Sequence, residues 1–368
     1  PLAPHPYPYP FPMDREAGIE AYQAMVTAEE YQARLKRGDQ SVVHAYANDG
    51  EAPVIRVEVA KAEQMAEGVT KYQFRALGGG DLPPWEAGAH LDIVVAPEFL
   101  RQYSMSGDPA DRSVYEIGVL REDAGRGGSA LLHRIFSEGR KVFISKPINH
   151  FPLSEDATKT YLMGGGIGVT PMIAMAHRLH AIGGDFEFHY SVSSRATAGY
   201  LDELARVPWA DRVRVYVSED ATRADLPAIL GEWTEGTHVY TCGPGRYMSA
   251  VMEAAEAAGF PEDARHLEYF SVPEQPDYEN HDFTLRLARS GRELLVPAGR
   301  TATDVLAENG VHVDVKCSDG ICGVCKCGLI AGEVEHRDFV LSRSQRETSV
   351  ILCRSRAAEP GGVVEVDL

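Results

Sequence analysis

Cys317-Ser-Asp-Gly-Ile-Cys322-Gly-Val-Cys325, followed after 27 intervening residues by Cys353, is the stretch on which the reading of this 368-residue chain turns. The pattern C-x4-C-x2-C with a distant fourth cysteine is the spacing that holds a plant-type [2Fe–2S] cluster. Such a cluster needs four thiolates around two irons, three from one tight loop and one from elsewhere in the fold. Gly320 and Gly323 let that loop curl and turn its N–H groups toward sulfur, which helps to set the reduction potential. Four thiolates would also suit zinc, but zinc favours paired C-x2–4-C knuckles, and the second half here offers one cysteine. Cys327 alternates with Cys325 on an incoming strand and reads as a small core residue.

Outward from this loop the chain divides into blocks. Ser271–Asn280 is polar and Pro-containing, so a linker is expected at 271–280, with an iron–sulfur domain over 281–368. FTLRLA and ELLVPA flank the Ser290–Arg292 turn as two strands. Thr301, with Asp304 three residues on, opens a helix that stops at Gly310. Between 156 and 270, strands alternate with helices: TYLMGGGIGVTPMIAMAHRLHAIGG, FEFHYSV, RVRVYVS, HVYTCGP and a helix over Arg246–Ala258. That rhythm predicts a doubly wound parallel sheet. Over 52–155 the rhythm is that of a small antiparallel barrel, with strands expected at Val54–Val59, Thr70–Leu77, His90–Val95, Tyr103–Ser106, Val114–Leu120 and Lys141–Ser145. Residues 1–51 read as a Pro-rich, extended start followed by a helix over Asp14–Lys36.

Several local motifs carry chemistry. Arg101-Gln102-Tyr103-Ser104 sets a phosphate-binding side chain, an aromatic face and a hydroxyl side by side on a strand. Gly125-Arg126-Gly127-Gly128-Ser129 opens a helix, where backbone amides favour an anion. Gly164-Gly165-Gly166-Ile167-Gly168 lies between a strand and a helix. It is not the G-x-G-x-x-G fingerprint, yet it likewise lets a pyrophosphate approach a helix N-terminus. Ser194 and Arg195 follow the next strand, where an arginine fork could take a 2′-phosphate. His177 and His180, three apart on a helix, read as packing and surface.

The segment CSDGICGVCKCGLIAGEVEHRDFVL closely resembles the C-terminal domain of the phthalate dioxygenase reductase family, within the ferredoxin–NADP reductase superfamily. The RxYS and GRGGS motifs, and the order of the three domains, match the same branch over roughly residues 52–368. The resemblance implies a β-grasp ferredoxin domain, and Cys317, Cys322, Cys325 and Cys353 as the cluster ligands. It implies FMN, with FAD as the alternative, bound by Arg101, Gln102, Tyr103, Ser104, Gly118, Val119, Leu120, Arg126, Gly127, Gly128, Ser129, Thr170 and Phe270. It places NADH, with NADPH as the alternative, on Gly165, Gly166, Ile167, Gly168, Ser194, Arg195, Cys242, Gly243 and Pro244. Thr170, against the flavin, Cys242, near the nicotinamide, and Glu268, of a Glu-x-Phe pair with Phe270, are the catalytic candidates it implies. The implied activity is electron transfer to a terminal Rieske-type non-haem iron oxygenase, the alternatives being a cytochrome P450, a dehalogenase or a non-enzymatic redox sensor. Residues 1–51 have no counterpart in that family.

Composition narrows the partners. Against 36 Lys+Arg stand 54 Asp+Glu, a formal net charge of −18. That surface suits neither nucleic acid nor an anionic membrane, because phosphate contacts need clustered cations. No apolar run approaches the ~20 residues that span a bilayer. The first 241 residues carry no cysteine, and the opening PLAPHPYPYPFP lacks the pattern of a secretory signal. A disulfide framework is therefore implausible and a reducing, cytoplasmic setting is expected.

Overall fold

The computed structural model describes residues 54–96, 99–123, 127–270, 278–315, 318–321 and 323–368. The expected helix at Asp14–Lys36, and the predicted site residues Arg126, Cys317 and Cys322, lie outside the described residues. The described chain forms two units, 54–268 and 269–368.

The first half of the first unit is an antiparallel barrel. Its strands are β1 (Val54–Ala66), β2 (Val69–Ala76), β3 (Ala89–Ala96), β4 (Phe99–Ser104), β5 (Tyr115–Leu120), β6 (Lys141–Ser145) and β7 (Ile148–Asn149), with helix α1 (Gly128–Ile135) before β6. They hydrogen-bond in the order β4-β3-β6-β1-β2-β5, with β7 on β3, and a bridge between Met105 and Ile117 joins the two ends. Alternation along the strands sends Val57, Val59, Phe74, Leu91, Ile93, Ile117, Val142 and Ile144 inward, each fully buried. β1 runs seven residues past the expected Val59. Ala60–Ala66 has a helix-like composition. It is held extended by pairing with β2 across the Gly68 turn, whose φ of 74° suits glycine, and by two bulges.

The second half is the expected doubly wound sheet. β8 (Lys159–Gly165), β9 (Phe186–Val192), β10 (Val213–Val217), β11 (Thr237–Cys242) and β12 (Arg265–Glu268) are all parallel, in the order β10-β9-β8-β11-β12. The helices are α2 (Val169–Ile182), α3 (Leu201–Leu204), α4 (Leu226–Leu230) and α5 (Gly245–Ala257). Central strand β8 is buried along nearly its whole length, as a parallel strand covered on both faces must be. The barrel and the faces of β8, β9 and α2 share one continuous hydrophobic core, which fixes the two halves against each other.

The second unit is a mixed sheet: β13 (Phe283–Leu287), β14 (Arg292–Val296), β15 (Lys326–Ala331), β17 (Ser349–Ile351) and β19 (Val363–Val366), in the order β14-β13-β19-β15-β17. β13 and β19 are parallel and the other pairs antiparallel. Helix α6 (Ala302–Glu308) crosses it, and α7 (Arg343–Arg346) and the short pair β16 (Val334–Glu335) and β18 (Arg356–Ala357) complete the β-grasp. Thr301 and Asp304 form the expected capping box, each side chain accepting from the other's backbone N–H.

Candidate functional site

In the first unit the predicted motifs meet at the seam between barrel and sheet. Ser104, the last residue of β4, donates its hydroxyl to Glu268 at the end of β12 (2.8 Å). Glu268 pairs in register with Cys242 at the end of β11. Cys242 in turn packs on Gly168, where a Cβ would fall 2.3 Å from the Cys242 carbonyl. One turn on, Thr170 is buried and donates to the Ile167 carbonyl (3.0 Å). Its methyl would lie 2.8 Å from a Cβ at Gly118 of β5. Gly243, with φ 148°, lets the two crossing loops touch, since a Cβ there would stand 2.7 Å from the Gly165 oxygen. Pro244 is the N-cap of α5, and Gly166 begins a 3-10 turn ahead of α2.

The groups at this seam are electrostatically unusual. Burial pushes the Glu268 carboxyl up to about 7, with the Ser104 hydroxyl opposing it. Burial also raises the Cys242 thiol well above its ordinary range, and the neighbouring Glu268 adds to that, so the thiol is a neutral packing group. The Tyr103 hydroxyl is buried without a hydrogen-bond partner among the described residues, a polar atom that a bound flavin would satisfy. Arg101 lies across the first turn of α1, where a Gly128 Cβ would meet its Nε at 2.3 Å. Gly127 caps that helix in the left-handed region, with φ 85°. The Ser129 hydroxyl accepts from the Glu122 N–H (3.1 Å). Gln102 pairs with His90 (3.0 Å), and the Val119 carbonyl with His133 (3.1 Å). Leu120 ends β5 half-buried.

Ser194 and Arg195 lie on the loop after β9. Ser194 shares a hydrogen bond with Thr197 (2.9 Å). The Arg195 fork is already engaged: Nε and Nη2 donate to Asp220, after β10, at 2.9 and 2.6 Å. The Arg195 backbone N–H donates to Glu219 (2.5 Å). His177 packs edge-on against Trp209, and His180 is exposed, as expected. Sequence reasoning missed Tyr200, a buried residue at φ 69° whose hydroxyl sits 3.2 Å from Ser106. It also missed Lys71, which is buried between Glu203 (2.5 Å) and Glu116 (3.7 Å). Neither belongs to a motif. The one local signal was a lysine on an otherwise inward-facing position of a strand.

In the second unit, Cys325 and Cys353 are both buried and stand on adjacent segments: Lys326 pairs with Ile351, and the Leu352 N–H donates to the Cys325 carbonyl (3.3 Å). Ser318, Gly320 and Gly323 all have positive φ, so the described part of the loop curls tightly. Two buried thiols beside a loop of that shape fit a cluster held from one loop and one distant strand. Cys327 is half-buried on β15, its thiol 3.9 Å from the Asp367 carbonyl. Phe270 is 40% exposed.

Comparison with known proteins gives two family matches. Residues 142–264 match the dimethylamine monooxygenase subunit DmmA-like N-terminal domain, and residues 285–358 match the 2Fe-2S iron–sulfur cluster binding domain. A vanillate O-demethylase oxidoreductase from Pseudomonas sp. is 38% identical over 295 residues, which is 80% of this chain and 93% of that one. A solved phthalate dioxygenase reductase, described as a modular structure for electron transfer from pyridine nucleotides to [2Fe-2S], is 34% identical. It aligns with a TM-score of 0.63 over 87% of this chain and 99% of its own. An intact type IV self-sufficient cytochrome P450 monooxygenase is 36% identical with a TM-score of 0.75; 86% of this chain is covered, but only 41% of that longer one.

Proposed function

Because this chain belongs to the phthalate dioxygenase reductase family, we propose that it takes electrons from NADH through FMN and a [2Fe–2S] cluster and delivers them to a separate oxygenase. The observation that carries this reading is the run Ser104–Glu268–Cys242–Gly168, with Thr170, two residues on, against Gly118. It brings the barrel's aromatic-hydroxyl motif and the sheet's glycine turn to one place. When bound, FMN turns a two-electron hydride into single electrons, and the cluster passes them on one at a time.

The chain's own residues supply position and charge. Arg101, Arg126 and the α1 N-terminus would hold the flavin phosphate, and Tyr103 and Ser104 would serve the ring. Gly165–Gly168 give the pyrophosphate a backbone approach. Pro244 and Gly243, at the end of β11, would border the nicotinamide. Thr170 and Cys242 are packing walls at the reacting edge. Glu268, poised near neutrality, either accepts the Ser104 hydroxyl proton in a hydrogen bond or, when protonated, donates to that oxygen. The dinucleotide is NADH because Asp220 and Glu219 already occupy Arg195, and a 2′-phosphate would meet two carboxylates there. Cys317, Cys322, Cys325 and Cys353 ligate the cluster.

The acceptor is a Rieske-type non-haem iron oxygenase. The test is Cys353→Ser in the purified full chain. NADH–ferricyanide activity through the flavin should persist, while iron content, the cluster absorbance and transfer to cytochrome c or to a purified Rieske oxygenase should be lost. A protein that purifies without flavin overturns the reading. Faster transfer to a P450 than to any Rieske oxygenase replaces the acceptor.

A further inference from the structure

The second unit contains a cavity of about 440 Å³ that meets the chemistry above only at Cys353. Arg300, Arg337, Arg354 and Arg356 line it together with Cys353, and no carboxylate does. Two of the four are ion-paired from outside the lining, Arg300 with Glu308 (2.6 Å) and Arg337 with Glu335, yet the wall itself presents four guanidinium groups in a chain of net charge −18. Arg356 anchors the arrangement. It is 5% exposed and lies over the Phe283 ring (4.9 Å). Its guanidinium donates to the carbonyls of His281 (2.8 Å), Arg300 (2.8 Å) and Pro297 (2.9 Å). These acceptors fix its direction but leave its charge without a carboxylate in hydrogen-bond reach among the described residues. Arg337 is 6% exposed and stacks on Tyr278 (4.4 Å). Its Nε and Nη1 donate to Glu335 and Asn280, each at 2.6 Å.

Burying a cation is costly unless charge or strong hydrogen bonds offset it. Glu335 already offsets Arg337, so the cost a bound anion would relieve is that of Arg356, whose acceptors among the described residues are all neutral carbonyls. Burial lowers the Arg356 pKa and the neighbouring Arg337 charge lowers it further, so the two cations do oppose each other. The volume is in the range of small-molecule sites and exceeds that of one tetrahedral ion. Tyr278, Asn280, Thr301 and Ser355 complete the lining with neutral polar groups.

We propose that this cavity binds a small organic oxyanion, a phosphate ester or an aromatic carboxylate, clasped by the four arginines. Binding stands on the cavity alone. A second consequence rests on the reading of Cys353 as a cluster ligand: an anion in the same wall disfavours the added electron, so it binds the oxidised protein more tightly and lowers the cluster potential by linkage.

The test uses the full chain with its cofactors, titrated by calorimetry with inorganic phosphate and, separately, with benzoate. The arm with the tighter Kd identifies the anion class. Arg300→Gln, which also removes the exposed pair with Glu308, should weaken the preferred probe about tenfold, and Glu308→Gln, which removes that pair alone, should not. Arg354→Gln should weaken it as Arg300→Gln does. Kd values weaker than about 10 mM for both probes overturn the site, as does binding that ignores both arginine substitutions. The cluster midpoint potential, followed by electron paramagnetic resonance, should fall with bound probe by about 59 mV for each tenfold difference in Kd between redox states. A protein without iron that still binds the probe refutes the reading of the cluster but not of the cavity. An unchanged potential with intact binding refutes the coupling.

Discussion

Gly118→Ala tests the seam most directly. A Cβ at this position would lie 2.4 Å from the Tyr200 hydroxyl oxygen, 2.8 Å from the Thr170 methyl and 3.1 Å from Tyr200 Cε2. Ordinary contact requires about 1 Å more, and Tyr200 is 1% exposed with its hydroxyl on Ser106, so it has little room to retreat. Overpacking of this kind costs roughly 1–3 kcal/mol, and loss of the Ser106 hydrogen bond adds about 1 kcal/mol. A total of about 2–4 kcal/mol corresponds to a fall of roughly 5–15 °C in melting temperature for a unit of this size. Because Thr170 is pushed as well, flavin reduction by NADH in a stopped-flow instrument should slow by roughly tenfold or more. Adding Tyr200→Phe removes the worst contact and should restore about half the lost stability, even though that change alone is mildly destabilising. If Gly118→Ala melts within a degree of the parent and reduces its flavin at the parental rate, the close approach of barrel and sheet at this point is wrong.

Three further outcomes follow from the same geometry. Replacing Glu219 with Gln and Asp220 with Asn should free Arg195 and raise kcat/KM for NADPH roughly tenfold, with NADH little changed, in a ferricyanide assay; no gain would mean that this loop does not meet the ribose. The folded pKa of Glu268, about 7, lies above its ordinary 4.5, so its contribution to stability is complete below pH 4.5 and disappears as pH rises through 7, on the order of 3 kcal/mol. In flavin-free protein, urea titrations should show that slope, and Glu268→Gln should flatten it. Lys71→Met strands Glu203 and Glu116 in a poorly solvated pocket and should cost about 3 kcal/mol in urea unfolding, with partial recovery in Lys71→Met/Glu203→Gln.

The sequence was most legible where chemistry and spacing coincide. Four cysteines at fixed intervals predicted the iron–sulfur site, because so few arrangements of thiolates hold two irons, and the β-grasp fold around it was what the family resemblance implied. The alternation of strands with helices over 156–270 predicted the parallel sheet, since parallel strands need a crossover connection. Legibility failed where local composition and tertiary pairing disagree. Ala60–Ala66 has the residues of a helix, yet the β2 partner holds it as strand. Arg195 was legible as a phosphate ligand, but its neutralising partner comes from the loop after another strand, 25 residues away. No single-segment pattern reports such a pair.

The same reason explains how the two halves of the first unit are held in register. Ala196 accepts a backbone hydrogen bond from Glu67 (2.8 Å). A Cβ on Gly199 would lie 2.9 Å from Val69. Tyr200 reaches Ser106, and Glu203 closes on Lys71. These four fastenings fall within eight residues, directly after the Ser194–Arg195 loop, and they tie that loop to the barrel. None of these residues transfers an electron or binds phosphate in the reading above. They nevertheless fix how far the nucleotide loop stands from the strand that carries Tyr103 and Ser104. Motifs name the two half-sites, and the spacing between them is set by side chains whose partners lie 94 to 132 residues away, where shape complementarity rather than residue type carries the information.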